Sequence, residues 1–247
     1  MIYKYFSFDP FIKYELYFSS PSQFNDPFES KPVITGLSTL KERQAYVDSY
    51  LDREYSHLTY KKRKDLRKSL LIRLFDLETV KNDVHDRINN YGVFCSSEKW
   101  SQCLMWSHYT KSHKGFCLGF EFDKEFDSDM GEAHKINYSK TYPELSPEIF
   151  INNSRERNLL LLEATLATKS NEWQYESEIR YIKMASEGGY GTYKFDRNKL
   201  KEVTIGANAK LSDKKELTDI ISQHTPWIDV YQARTSPTEY KLHREKL

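Results

Sequence analysis

FCSSEKWSQCLMWSHYTKSHKGFCLGFEF, residues 94–122, carries the pattern that decides the fold class. It opens on the end of a strand expected over 91–97, where aromatic, aliphatic and small residues stand side by side. Residues 102–109 read as a short helix with Leu104 and Met105 on one side and His108 on another. Residues 111–114 are a polar loop. Residues 115–122 return as a strand in which Phe116, Leu118, Phe120 and Phe122 recur at the two-residue period of a pleated sheet.

Residues 2–6 alternate aromatic and polar side chains, and a second short strand, 15–19, follows a turn at Asp9 and Pro10. SPSQFNDPFE, residues 20–29, holds two prolines and Asn25–Asp26, so it reads as an ordered turn, with Phe24 and Phe28 expected to pin it to the core. Residues 38–90 read as a helical insertion. Thr39 with Glu42 three residues on has capping-box spacing, and Leu66, Leu70, Leu74, Leu77, Val84 and Ile88 keep helical spacing among charges. Ser146, Pro147 and Glu148 form a helix start, with the helix running to about residue 166. Strands are expected over 134–138, 178–184, 203–205 and 228–231, and a helix over 212–222. Strands and helices mix without regular βαβ spacing. The expected class is therefore α+β, with mixed, largely antiparallel sheets in a single domain, 1–247, that contains the insertion 38–90.

Composition narrows the function. Lys and Arg total 37 against 36 Asp and Glu, so no net basic charge argues for a dedicated nucleic-acid or membrane-surface protein. No apolar run spans a bilayer, and no membrane association is expected. The first residues lack the long apolar core of a secretory signal. Cys95, Cys103 and Cys117 are odd in number and lack C-x-x-C spacing, which argues against a disulfide framework or a zinc site and for a reducing cytoplasm. No P-loop and no G-x-G-x-x-G occurs. His108 and His113 are five apart, not the helical pair of a zincin, and the spacing of Asp26, Glu29, Glu176 and Glu178 does not demand Mg²⁺, so no metal is expected.

Four stretches in order, Tyr3–Lys4–Tyr5, LYFSSPSQFNDPFE (16–29), the 94–122 stretch and WQYESEIRY (173–181), resemble a bacterial family catalogued as domain of unknown function 2971. The order of the later motifs also resembles the ADP-ribosyltransferase superfamily. That second resemblance implies a split sheet and a site around the nicotinamide half of NAD, with NAD as substrate. Carried over, Glu178 is the transferase glutamate and Glu176 its partner, while Ser96 or Ser97 fills the middle role. On the early strand the superfamily has Arg or His where this chain offers Lys4, beside Tyr5. Lys holds a phosphate as a point charge without the fork of Arg.

The chemistry asks for such groups. Cleaving the ribose–nicotinamide bond develops positive charge on the ribose, which a carboxylate stabilises more strongly as water is excluded. A second carboxylate two residues away on the same strand shares its face and can orient the acceptor or take its proton. His108 can serve as general base or as a donor to a substrate phosphate. Arg180 is a phosphate clamp on the same face, and Asn25 and Tyr109 complete the expected contacts.

Each residue also has a structural reading. Glu178 and Arg180 can form a cross-strand ion pair, Trp173 and Tyr175 can pack, His108 can be a hydrogen-bonded helix residue, and Asn25 and Asp26 can serve only their turn. The expected function is thus a nucleotide-processing enzyme, an NAD-dependent transferase or glycohydrolase of a bacterial defence or toxin system, phage defence included, with a protein or nucleic acid as acceptor. The alternative is a non-catalytic nucleic-acid- or protein-binding module of such a system, using the Lys61–Lys62–Arg63–Lys64 run and the helices over 38–90. A degenerate enzyme fold kept as a scaffold is the third reading.

Overall fold

The structure is a computed structural model that describes residues 1–7, 15–35, 39–75, 77–146 and 155–247. The Asp9–Pro10 turn and the helix start at Pro147 and Glu148 lie outside the described residues. The chain forms two compact units, one of Met1–Gln23, Asn90–Tyr138 and Asn171–Leu247, the other of Phe24–Asn89 and Ser139–Ser170.

The first unit is built on a nine-stranded sheet, and the fold is α+β as its pattern indicates. Its strands are β1 (Ile2–Phe6), β2 (Gly92–Ser97), β3 (Phe116–Phe120), β4 (Phe126–Asp127), β5 (Gly131–Lys135), β6 (Glu178–Lys183), β7 (Leu200–Ile205), β8 (Asp229–Thr235) and β9 (Leu242–Lys246). They lie in the order β9-β8-β7-β3-β1-β2-β6-β5-β4. The β7–β8 pairing is parallel, while those of β1, β2, β3, β5 and β6 with their neighbours are antiparallel. A parallel pair needs a crossover, here the helix α2 (Leu211–His224), which follows the shorter α1 (Cys103–Tyr109).

Where the superfamily resemblance implies a split sheet, these strands form one continuous order. The reason is β1, which is bonded on both sides. It pairs with β3 along its whole length, from Ile2 opposite Phe120 to Phe6 opposite Phe116. With β2 it shares the single register pair Tyr3 and Ser97. At this seam the Lys4 ammonium donates to the Cys95 carbonyl at 2.8 Å, so a side chain takes up a backbone acceptor that strand pairing does not.

The two-residue period sorts the side chains. One face carries Ile2, Phe94, Phe116, Leu118, Phe120, Ile179, Tyr181, Val203 and Ile205 into a core closed by Leu217 and Ile221 of α2. On the other face Tyr5 and Cys117 pack with Met105 and Trp106 of α1. The Tyr5 and Trp106 rings meet edge to face, centroids 5.4 Å apart. Burying Trp106 completely contributes on the order of 3 kcal/mol. Because both faces of β3 are covered, all five of its residues are buried. Gly119 keeps the second face thin, since a Cβ there would stand 2.5 Å from Glu202 Cγ.

α1 ends in an unusual turn. Lys111, Ser112 and His113 are all left-handed, at φ of 49°, 61° and 64°. Each costs roughly 1–2 kcal/mol for a residue with a Cβ. The turn is held by the His113 N–H on the Trp106 carbonyl at 3.2 Å and by Asn208, whose N–H donates to the His113 carbonyl at 2.9 Å. Gly206 lets this happen: a Cβ there would lie 2.2 Å from the His113 oxygen and 2.8 Å from that of Gly115.

In the second unit, helices run over Leu40–Glu54, Tyr60–Phe75 and Leu77–Asn89. The Thr39 hydroxyl accepts from the Glu42 N–H at 3.2 Å and the Glu42 carboxylate from the Thr39 N–H at 3.0 Å, the capping box its spacing indicates. Val47, Tyr50, Leu51 and Leu70 form the core between the first two helices. In the FNDPFE turn, Asp26 Oδ1 accepts from the Phe28 N–H at 2.9 Å. Phe28 is 63% exposed, against the expectation that it pins the turn to the core. The turn is secured instead by its own polar groups and by buried Glu29, 3.2 Å from the buried Lys169 ammonium.

Two outcomes follow for the first unit. Gly206→Ala should lower stability by about 1–3 kcal/mol in denaturant titration, because the added methyl meets fixed carbonyls. The second concerns Asp127, which accepts from Lys199 Nζ at 2.7 and 2.9 Å and from the N–H groups of Asp123 and Asp129. Burial pushes its carboxyl up, but these hydrogen bonds outweigh burial and hold it below its ordinary value. A folded value below the unfolded one lends stability that is present above about pH 4 and lost as pH falls through the folded value. The difference in Tm between the natural chain and Lys199→Met should therefore be largest near neutrality and narrow below about pH 4.

Candidate functional site

Of the residues singled out in the sequence, Ser97, His108, Tyr109, Glu176, Glu178 and Arg180 come together on one side of the large sheet, where β2 ends, β6 begins and α1 packs. On that side Ser97 lies opposite Glu178 and Cys95 opposite Arg180 in the β2–β6 ladder. Glu178 and Arg180 point the same way along β6 and meet in a fork, Nε to Oε1 at 2.8 Å and Nη2 to Oε2 at 3.2 Å. Both side chains are buried, 4% and 1% exposed. Such a bidentate, charge-assisted pair fixes angle as well as distance.

Glu176 reaches the same neighbourhood by another route. It closes a 3₁₀ turn, Asn171–Glu176, rather than sharing a strand with Glu178. Ser177 between them is left-handed at φ 45°, so the chain kinks and the period-two relation expected of the two acids does not apply. The Ser97 hydroxyl secures the kink by donating to the Glu176 carbonyl at 2.6 Å while it accepts from the Lys99 N–H at 3.0 Å. The Glu178 N–H donates to the Tyr138 hydroxyl at 2.8 Å. The carboxylate of Glu176, itself buried, takes the Tyr109 hydroxyl at 2.7 Å.

Beside this polar knot stands an aromatic group. His108, exposed on α1, has its ring 6.4 Å from Trp173 and 6.5 Å from Tyr175, which are 6.0 Å from each other. Tyr109 lies 6.3 Å from His108. The 171–176 turn and α1 thus each supply rings to one cluster, and each supplies one partner of the Tyr109–Glu176 bond.

The remaining expected residues take other places. Tyr5 packs under α1, and its hydroxyl donates to the Lys99 carbonyl at 2.6 Å. Lys4 sits at the β1–β2 seam, over the Phe94 ring. Ser96 faces the opposite side of the sheet and donates to the Ile179 carbonyl at 2.7 Å. Asn25 is exposed in the second unit. In that unit Arg63 of the basic run pairs with Asp52, while Lys61, Lys62 and Lys64 are exposed.

Cys95, which the sequence reading did not place in the site, shares the sheet face of Ser97, and burial with the adjacent Glu178 pushes its thiol up to about 12. Among the described residues no group of three or more His, Cys, Asp or Glu is arranged to hold a metal ion. Among them too, no helix is long and apolar enough to cross a membrane.

The arrangement offers two buried carboxylates held by different donors, a guanidinium on one and a phenol on the other, next to exposed π surface. Arg180→Met would leave Glu178 buried without its guanidinium and should cost about 3–5 kcal/mol in chemical denaturation. The double variant Glu178→Met/Arg180→Met should recover much of that loss.

The model of one protein family matches residues 105–181, a stretch that includes His108, Tyr109, Trp173, Tyr175, Glu176, Glu178 and Arg180. No curated protein and no solved structure matches the chain. That family is described as protein of unknown function (DUF2971); it is the one the chain's motifs resemble, and over these residues the chain is similar to it.

Proposed function

We propose that the first unit binds and cleaves a nucleotide of the NAD class, transferring the ADP-ribosyl group to an acceptor or to water. The observation that carries this reading is the pairing of two buried carboxylates, Glu176 on Tyr109 and Glu178 on Arg180, around Ser97. Breaking the bond between ribose and nicotinamide places positive charge on the ribose carbon and its ring oxygen. A carboxylate fixed where water is scarce stabilises that charge without reorganising. Glu178, braced by Arg180, is the fixed negative charge of the pair. Glu176 is placed to orient the acceptor hydroxyl or take its proton, with Tyr109 holding its orientation. The nicotinamide leaves with the bonding electrons, and the acceptor oxygen takes the ribose carbon after giving up its proton.

The test is nicotinamide release from NAD by the full chain, followed by chromatography. Release is expected, and Glu178→Gln should lower it at least 100-fold, about 2.7 kcal/mol in the barrier. Glu176→Gln should lower it with little loss of NAD affinity. Folded protein that neither binds NAD nor releases nicotinamide would refute the reading.

A further inference from the structure

We propose that one face of the helix Tyr60–Phe75, in the second unit, binds the phosphodiester backbone of a nucleic acid irrespective of base sequence. The helix holds seven Lys and Arg residues against one Asp, whereas the whole chain has a net charge of +1. Its cations are sorted by side-chain type. Arg63 and Arg67, one turn apart, reach the neighbouring helix Leu40–Glu54. Arg63 pairs with Asp52, and Arg67 forks onto Asp48, Nε to Oδ1 at 2.5 Å and Nη2 to Oδ2 at 2.9 Å. Lys61, Lys62, Lys64 and Lys68 are all exposed, and among the described residues none of them has an ion-pair partner. At about 100° per residue, Lys61, Lys64 and Lys68 fall within roughly 60° of one another around the helix axis, with Lys62 flanking them.

This face works against the helix that carries it. Lys61 and Lys62 stand in the first turn, where no acid offsets them and the helix dipole already presents positive charge. Lys64 repels Lys61 three residues before it and Lys68 four residues after it. A polyanion laid along the face relieves both costs. The spacing suits a nucleic-acid strand. From Lys61 to Lys68 the axis rises about 10.5 Å, so the four cations stand one per ~3.5 Å. One strand of a duplex carries a phosphate per ~3.4 Å of its axis. A lysine ammonium meets phosphate as a point charge and lacks the planar fork with which arginine reads guanine, so the face grips without selecting sequence. A membrane-surface helix needs an apolar side to bury among lipids. Here that side, Leu66, Leu70 and Leu71, is taken up by Val47, Tyr50 and Leu51. Successive side chains of an extended acidic peptide point to opposite sides, whereas the phosphates of a strand follow one line. The inference does not depend on the nucleotide chemistry of the first unit.

The experiment is fluorescence anisotropy of a labelled DNA duplex of about 20 base pairs titrated with the full chain over about 50–200 mM KCl. A Kd between about 1 and 100 μM is expected near 150 mM salt, alike for two unrelated sequences, with log K falling against log salt at a slope of about −3 to −4. Lys64→Gln should make that slope shallower by about one. The quadruple variant Lys61→Gln/Lys62→Gln/Lys64→Gln/Lys68→Gln should lose at least about tenfold in affinity, while its Tm stays equal or rises because the opposed charges are gone. Absence of duplex binding would overturn the inference. So would a quadruple variant, or a Lys64→Gln slope, no different from that of the natural chain. Tighter binding to phosphatidylserine vesicles or to polyglutamate than to the duplex would assign the face to a membrane or to an acidic protein instead.

Discussion

A guanidinium and a carboxylate, closed on each other inside the first unit, set the terms for what surrounds them. Glu178 and Arg180 are both essentially withdrawn from water, and neither can be buried alone without a cost of several kcal/mol. The pair therefore fixes the register of β6. A slip of one residue would send both charges to the face occupied by Ile179 and Tyr181, where the neighbours are Phe94 and Phe122, and would lift those apolar side chains out of the core. Once β6 is fixed against β2, Ser97 stands opposite Glu178 and Cys95 opposite Arg180.

The kink at Ser177 follows from that anchoring. With Glu178 held, the preceding turn must double back to satisfy the Ser97 hydroxyl, and this swings Trp173, Tyr175 and Glu176 toward α1. α1 is in turn held from below by Trp106, whose indole N–H donates to the Trp100 carbonyl at 2.7 Å, and from its end by the left-handed turn over 111–113. The site is thus a meeting of two short elements, each immobilised for reasons that lie in the sheet beneath it.

How much of this was legible varied with the range of the interaction involved. The capping box of Thr39 and Glu42 is a three-residue signal and could be read directly. So could β3, whose alternating Phe and Leu declare a buried face. The α+β class followed from such local patterns. The separation of Glu176 from Glu178 did not, because nothing in the chemistry of serine announces a positive φ at Ser177. Glycine would have signalled it. Phe28 looked like an anchor because it is aromatic, but the polar groups of Asp26 and Glu29 carry that turn. Strand β9, Leu242–Lys246, was missed because four of its five residues are polar: an edge strand shows its charges and little apolar period. The place of Lys4 at a seam depends on which strands become neighbours, and no window of a few residues contains that information.

The thin join between β1 and β2 has a consequence for biosynthesis. β1 has its two neighbours at 92–97 and 116–120, and the whole helical stretch between residues 40 and 89 emerges from the ribosome before either. Helices close their contacts locally and quickly, while a strand whose partners are so distant in the chain must wait. β1, with its exposed backbone and three aromatic rings, therefore stays an unsatisfied edge while the helical stretch is made. A nascent chain of this protein would lean on chaperones at this strand.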